Sequence, residues 1–426
     1  MPEYVLVGYS ADLLRILDGF LAPDSVLVVD EPEVLATRGA RDRTSEIACF
    51  ADVIPAPVQD GAAHRLPDLV APPPGTRAVL PGNDYGVVAA AVLADAWGLP
   101  GAGTEAARVF RDKRRQRRLA DDAGIPQPAW REVADAAEAA QFAAGCPHGF
   151  VLKPATLQSS EGVQLLDPGA DIEAAWRHTT ARNATGGTMR IDAGPLAYLA
   201  ERRLTGPEFS AELLMREGVP LFFNATAKRL LGGVYPVEMG HVVPAPAGDG
   251  VDTVLRESMM ALARAAGFRT GIMHGEWIVE GGVPHLVECA ARLPGDQIHR
   301  LIELAYGWSL LENWFVVMTG AAPARVPEEP AGAAIRFLDA PHGRVTSLTG
   351  LDAARSVSGV SDVNVAVDVG SLVEPIRSSW ERSGFVIATG PDGEGAEAAA
   401  RTASERIVIT TRGAPRSAAR DVMDDA

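Results

Sequence analysis

Short apolar runs alternate with amphipathic stretches along the first hundred residues. Tyr4 to Val7 reads as a strand ending in Gly8-Tyr9-Ser10, a helical pattern follows from Asp12 to Phe20, and Ser25 to Val29 reads as a second strand ending at Asp30. Further on, Ala78 to Pro81 runs into Gly82-Asn83-Asp84-Tyr85 and then an Ala-rich helix reaching Trp97. Strands alternating with helices predict a parallel sheet flanked by helices. In such sheets ligands sit beyond the carboxyl ends of the strands, so Asn83, Asp84 and Tyr85 are candidate contacts. Each of them reads equally well as part of a capped turn before a helix.

The longest region, Arg111 to about Gly320, opens with a helical pattern from Arg111 to Ala123 that Gly124-Ile125-Pro126 stops. A helix from Ala134 to Ala143 and a strand from Phe150 to Lys153 follow. Ala321 to Pro330 has the Ala, Pro and Glu content of a linker. Beyond it, Ala334 to Leu338, Val345 to Leu348, Val363 to Val367 and Phe385 to Thr389 are short β-type runs that predict a small β-rich α+β domain, followed by a polar tail from Gly413.

Composition narrows the function classes. With 47% hydrophobic and 22% charged residues the chain is globular rather than disordered. A net charge of −16 repels polyanions and argues against nucleic acid as a partner. No apolar stretch approaches the roughly 18 residues of a membrane span, and no basic leader precedes the first strand, so the expectation is a cytoplasmic protein without a membrane partner. Cys49, Cys146 and Cys289 lack CxxC spacing and read as core thiols. Among the 39 basic residues only Lys113, Lys153 and Lys228 are lysine. An Arg-rich chain that keeps Lys at three places directs attention to sites where a compact ammonium is needed, coding bias being the plain alternative.

Three tempting motifs fail on context. Gly101-Ala102-Gly103-Thr104-Glu105-Ala106 has dinucleotide-fingerprint spacing but follows a helix end instead of a strand. The basic run Arg111 to Arg118 has the spacing of a solvated helix face. His274-Gly275-Glu276 has no PCxxC after it, which a zinc deaminase requires.

The segment Gly271 to Leu293 carries more. Two β-type runs flank Glu280-Gly281-Gly282-Val283, a hairpin signal whose four-residue connection leaves the register open by one. His274, Glu276 and Ile278 share one face, and Leu286, Glu288 and Ala290 share another. If the turn pairs Glu276 with Glu288, two carboxylates lie opposite one another at about 5 Å between Cβ atoms, a repulsion that Mg²⁺ would relieve. Arg292 would then point the same way as Glu288, as an anion site; an exposed hairpin with scattered acids is the alternative. Lys153 ends its strand ahead of Pro154-Ala155-Thr156-Leu157-Gln158-Ser159-Ser160-Glu161-Gly162-Val163, a loop able to cradle phosphate through backbone N–H groups and hydroxyls.

The segments FRDKRRQRRLADDAGIPQP, VLKPATLQSSEGV, ERRLTGPEFSAE, VEMGHVVPAP, HGEWIVEGGVPHLVECAARLPGD and RSSWERSGFVIATG follow one another between Arg111 and Gly390. In this order the chain resembles the ATP-grasp superfamily, and within it the carboxylate-amine ligases of the L-amino acid (dipeptide) ligase and carnosine-synthase type. The resemblance implies an ATP-grasp fold of mixed α/β and α+β class. Its parts would be a Rossmann-like pre-ATP-grasp domain over 1–110, an ATP-grasp domain over 111–320 with a lid subdomain at about 125–200, a C-terminal α+β domain over 321–412, and the tail 413–426. By the same resemblance Lys113 and Lys153 bind ATP phosphates under a loop containing Ser159, Ser160 and Gly162. Glu201, Arg202, Arg203 and Leu204 form the hinge strand that reads adenine, and Glu208 lies near the ribose or orders the hinge. Glu276 and Glu288 hold Mg²⁺, with Mn²⁺ as an alternative. Arg292 steadies an acyl phosphate, and His241, Tyr85, Gly295 and Asp296 line the substrate end. Asp296 would favour a polar or cationic substrate group, while Lys228 lies beside the cleft with its role open.

The implied reaction joins a carboxylate and an amine of small-molecule amino acid or amine substrates through an acyl phosphate, releasing ADP and phosphate. A homodimer is the family expectation. Two residues depart from the family pattern. Ala290 stands where Asn is usual in Glu-x-Asn-x-Arg, which removes a metal donor, and the phosphate loop has Gly162 as its single glycine. The alternatives are a biotin-carboxylase-like ATP-grasp carboxylase and a nucleotide-binding regulator without catalysis.

Overall fold

The computed structural model describes residues 2–44, 46–59, 61–185, 196–246 and 250–413. The N-terminal part is a four-stranded parallel sheet in the order Phe50–Pro55, Val26–Asp30, Tyr4–Val7, Ala78–Pro81. All five residues of Val26–Asp30 are buried, as expected of an inner strand covered on both faces. The turn after Ala78–Pro81 is drawn tightly against the sheet end: a Cβ on Gly82 would lie 2.1 Å from the Gly8 carbonyl, and one on Gly86 would lie 1.9 Å from that of Val7. Only glycine permits these approaches, and between them they fix Asn83, Asp84 and Tyr85 at the carboxyl end of the sheet.

The single helix predicted over Arg111 to Ala123 is two, Thr104–Arg111 and Lys113–Ala123. Asp112 is extended, and its carboxylate caps the Arg114 N–H at 2.8 Å, so a new helix begins at Lys113. A four-stranded antiparallel sheet follows, in the order Trp130–Val133, Tyr198–Arg202, Phe150–Pro154, Gln164–Leu166. It has its own core of Val133, Phe150, Leu152 and Tyr198.

The largest element is an eight-stranded antiparallel sheet in the order Val283–Ala290, Gly271–Glu280, Glu208–Arg216, Val219–Leu230, Glu238–Val243, Gly332–Phe337, Gly384–Gly390, Val360–Val365. The C-terminal region is therefore not an appendage strung on a linker, because three of its strands extend the central sheet. The strands Leu372–Val373, Gly343–Thr349 and Val408–Arg412 form a small separate sheet, and the helix Gly393–Ser404 packs across Gly384–Gly390 and Gly332–Phe337. Among the described residues no helix is long and apolar enough to cross a membrane.

The hairpin turn is tighter than the sequence suggested. Glu280 pairs with Val283 across Gly281 and Gly282, both left-handed at φ of 61° and 83°. That turn alone would set Glu276 opposite Val287. A bulge at Val287 adds one residue, so that Glu276 pairs with Glu288 and His274 with Ala290.

Candidate functional site

A cavity of about 450 Å³ lies between the four-stranded sheet, the loop 157–163 and the central sheet. Lys113, Lys153, Ser159, Ser160, Glu201, Arg202, Arg203, Leu204, Glu208, His241, Glu276, Glu288, Arg292, Gly295 and Asp296 all line it. Two candidates do not. Tyr85 is buried behind the wall with the Arg111 guanidinium 4.6 Å from its ring centroid, so it supports the wall and is not part of the lining. Gly162 faces Pro154 and the Thr179 carbonyl, and the Thr179 hydroxyl donates to its carbonyl at 3.0 Å, which ties the loop back to the helix Ile172–Thr185.

At one end Lys153 leaves its strand with 3% exposure. Its ammonium meets the Glu201 carboxylate at 2.9 Å and the bulged Val287 carbonyl at 3.4 Å. The other Glu201 oxygen accepts from Arg117 Nε at 2.8 Å, and Arg117 also reaches the Val287 carbonyl at 2.7 Å. Burial alone would raise the Glu201 carboxyl, but Arg117 and Lys153 outweigh it and hold it at about 2. Burial lowers Lys153 in spite of Glu201. Lys113 donates to the Leu157 carbonyl at 2.9 Å and pairs with Glu288 at 2.8 Å. Arg202 and Arg203, expected only as backbone readers, have committed side chains: Arg202 grips Glu280, and Arg203 meets Asp167 at 2.7 Å.

Backbone strain gathers here. Six non-glycine residues have positive φ among the described residues, and four of them are the consecutive pairs Ser159-Ser160 and Asp296-Gln297 beside the cavity. Ser160 donates from Oγ to the Pro236 carbonyl at 3.3 Å, so the phosphate-type loop leans on the turn after Val219–Leu230.

The middle of the cavity is acidic and balanced from within. Lys228 reaches Glu208 at 2.8 Å and both Glu238 and Glu276 at 3.1 Å. The second Glu276 oxygen lies 3.6 Å from His274 Nε2, while His274 Nδ1 is 3.0 Å from the fully buried Glu212. Burial works against a charged His274 ring, yet its bonds to Glu212 and Glu276 hold it up at about 9. Glu276 is correspondingly lowered, mainly by Lys228 and His274 acting against its burial. Glu276 and Glu288 both present hard carboxylate oxygens to the cavity, a donor set suited to Mg²⁺ or Mn²⁺.

At the other end Asp296 does not stand free for a cationic substrate. Arg382 donates to both its oxygens at 2.6 and 2.7 Å, and His241 Nε2 is 3.1 Å away. Arg382 also stacks 3.6 Å above the Phe337 ring and donates to the Glu238 carbonyl at 3.1 Å. The carboxylate is thereby neutralised and its carboxyl lowered, against burial, by Arg382 and then His241. Arg292 is steadied by Asp84, whose oxygen accepts from Nε at 3.0 Å, and by the Leu293 carbonyl at Nη1. Asp84 also faces Arg111 at 3.4 Å.

Sequence reasoning missed the partners more than the site residues. Glu238, His274 and Arg382 were all inside segments already singled out, and Arg117 lay in the basic run dismissed as a solvated face, where it is in fact fully buried. The helix has two faces, and Arg117 lies with Lys113, Gln116 and Ala120 on the buried one.

Residues 146–299 match the family described as ATP-grasp domain, and residues 336–412 match L-amino acid ligase C-terminal domain 2. Among curated proteins, an uncharacterized protein y4rH of Sinorhizobium fredii (strain NBRC 101917 / NGR234) is 28% identical over 326 residues, covering 72% of this chain and 63% of that one. A D-alanine--D-alanine ligase of Desulforudis audaxviator is 30% identical over 208 residues, covering 46% and 63%. The match thus spans less than two thirds of either relative. Among solved structures, L-amino acid ligase from Bacillus licheniformis superposes with a TM-score of 0.77 at 17% identity, over 97% of this chain and 99% of the other. N5-carboxyaminoimidazole ribonucleotide synthetase from Thermotoga maritima gives 0.64 at 18% identity, over 97% and 100%. At these identities the superpositions speak for the fold.

Proposed function

We propose that this chain, an ATP-grasp protein carrying an L-amino acid ligase C-terminal domain 2, is an ATP-dependent carboxylate-amine ligase that joins amino acids, or an amino acid and an amine. The observation that carries the reading is that one cavity joins two unlike ends. Lys113, Lys153 and the strained Ser159-Ser160 loop form an end suited to phosphates, and Arg292, His241 and the Asp296–Arg382 pair form an end suited to a small polar substrate.

A carboxylate is a poor electrophile, so the acid must first be activated. Its oxygen attacks the γ-phosphorus of ATP, the bond from that phosphorus to the bridging oxygen breaks, and ADP leaves. The neutral amine nitrogen of the second substrate then attacks the acyl carbon, and inorganic phosphate leaves as the amide forms. Catalysis of this kind is chiefly positioning and charge stabilisation. Lys153, aimed by Glu201 and the Val287 carbonyl, and Lys113, at the start of its helix, offer compact positive charge to the phosphates. Arg292 has Nε and Nη1 tied down, which leaves its Nη2 edge for the acyl phosphate oxygens. Glu276 and Glu288 would hold Mg²⁺, and when bound the ion neutralises charge on the transferring phosphoryl group. The loop 157–163, held to Pro236 through Ser160, would exclude the water that hydrolyses acyl phosphates.

The test is ADP release with pooled amino acids, followed by mass spectrometry of the products. ADP formed only when both a carboxylate and an amine donor are present, together with a product lighter by one water than their sum, supports the ligase. Turnover that depends on bicarbonate would replace it with a carboxylase, and nucleotide binding without turnover would replace it with a regulator.

A further inference from the structure

The reading above leaves Lys228 unused, although it is one of the three lysines in the chain. It stands near the end of Val219–Leu230 with a side chain 1% exposed. Its three N–H groups face three carboxylates, Glu208, Glu238 and Glu276, at 2.8, 3.1 and 3.1 Å. These come from three different strands, Glu208–Arg216, Glu238–Val243 and Gly271–Glu280, that the sheet order brings close together. One ligand oxygen from each of the three acids lies within 4.8 Å of the others, the spacing of a divalent ion's first shell. What fills that shell is a tetrahedral ammonium. A planar guanidinium could not aim one donor at each of three acids converging on a point, which accounts for lysine here in a chain that otherwise uses arginine.

A second observation comes from the neighbouring strand. Ala290 lies opposite His274 and two residues beyond Glu288, and its methyl group offers no metal donor. The strand that carries Glu288 thus supplies one carboxylate to an ion, while the acids on the far side of Glu276 already have a cation of their own.

We propose that Lys228 is a built-in cation occupying the place of a divalent ion among Glu208, Glu238 and Glu276, so that the chain fixes part of its active-site positive charge covalently and binds one ion fewer than its acids could hold. This rests on the cavity being the nucleotide site, not on which bond is formed there. Removing the ammonium should therefore expose a real ion site, and an ion supplied from solution should restore what the lysine did.

The experiment counts Mn²⁺ bound to the full chain by electron paramagnetic resonance of the free ion, with and without ADP, for wild type and Lys228→Met. The expected result is one additional Mn²⁺ per chain in the variant under both conditions, with a melting temperature that rises on adding Mn²⁺ by several degrees more than that of wild type. A Lys228→Met, Glu208→Gln protein leaves one carboxylate fewer unpaired and is the second variant; it should take the same additional ion about tenfold more weakly, having lost one ligand. If Lys228→Met folds only with Mn²⁺ present, the proposal is supported. Equal ion counts in wild type and both variants overturn it, and so does failure of both variants to fold with Mn²⁺ present. Neither result depends on finding the substrates, so the ion count and the ADP assay can fail separately.

Discussion

Replacing Asp84 by Asn would loosen Arg292 without touching the cavity lining. Asp84 belongs to the turn that Gly82 and Gly86 press against the N-terminal sheet, and it is 9% exposed. Its carboxyl lies below the usual range because Arg111, Arg292 and Lys113 together outweigh its burial. Asn preserves the shape and one acceptor but removes the charge, so the 3.0 Å bond from the charged Arg292 Nε keeps only a neutral acceptor and the ion pair is lost. A hydrogen bond to a charged group contributes about 1.5–3 kcal/mol. Taking about 2 kcal/mol as lost from the transition state gives roughly a thirtyfold fall in kcat. The fold should lose less, because Arg111 keeps its 2.8 Å bond to the Thr156 carbonyl and its place over Tyr85. Steady-state rates at saturating amino acid and amine, the KM for ATP, the ratio of amide formed to ADP released, and the melting temperature should be measured together. The expected pattern is a lower kcat, an unchanged KM for ATP, and fewer amides per ADP, since a poorly held acyl phosphate is lost to water. A variant whose kcat stays within twofold of wild type while its melting temperature drops would show that Asp84 only braces the two domains.

Arg382→Met keeps a long apolar stem over Phe337 but strips Asp296 of two bonds. Leaving that carboxylate with His241 alone should cost about 2–3 kcal/mol of stability, read as a lower urea midpoint. It should also raise the KM for the amino acid about tenfold or more with the KM for ATP unchanged; equal rises in both would refute the assignment of Asp296 and Arg382 to the substrate end. Acid should weaken the fold through Glu201. Its carboxyl is held at about 2 against an ordinary 4.5, so the stabilisation is fully present above about pH 4.5 and is lost as pH falls from there toward 2. Between pH 5 and pH 3 the loss worked from that shift is on the order of 2 kcal/mol. The stability difference between wild type and Glu201→Gln should narrow by that amount between pH 5 and pH 3, and a constant difference would refute it.

The acids of the site were legible as candidates because a hairpin brings Glu276 and Glu288 near one another, although only one of the registers left open pairs them directly on one face. The bulge at Val287 that completes the pairing was not legible, since the groups that donate to its carbonyl, Arg117 and Lys153, lie more than 130 residues away in sequence. The start of the helix at Lys113 was hidden as well. The run from Arg111 to Arg118 has good helix formers apart from Asp112, an N-cap residue type that a helix interior also tolerates, and the extended backbone of Asp112 shows that one helix ends there and another begins. Lys228 was marked by its rarity, and two of its partners, Glu208 and Glu238, stand on the strands just before and after its own, but the third, Glu276, comes from beyond the helix Val251–Ala266, and local pattern does not fix the registers that make all three converge. Asp296 was misread because its counter-charge, Arg382, arrives from 86 residues away.

The eight-stranded sheet has a consequence for how the protein can be divided. The strand Glu238–Val243, which carries Glu238 and His241, is hydrogen-bonded on one side to Val219–Leu230 and on the other to Gly332–Phe337. A cut in the connection 321–331 would therefore not release two independent domains. Only pulling the pieces apart would strip one whole edge of backbone partners from the strand that bears His241, and it would leave an open sheet edge prone to pairing with another chain. Amide exchange across Glu238–Val243, Gly332–Phe337 and Gly384–Gly390 should then report one opening event shared by the two matched segments, and separate opening of Gly332–Phe337 would refute it.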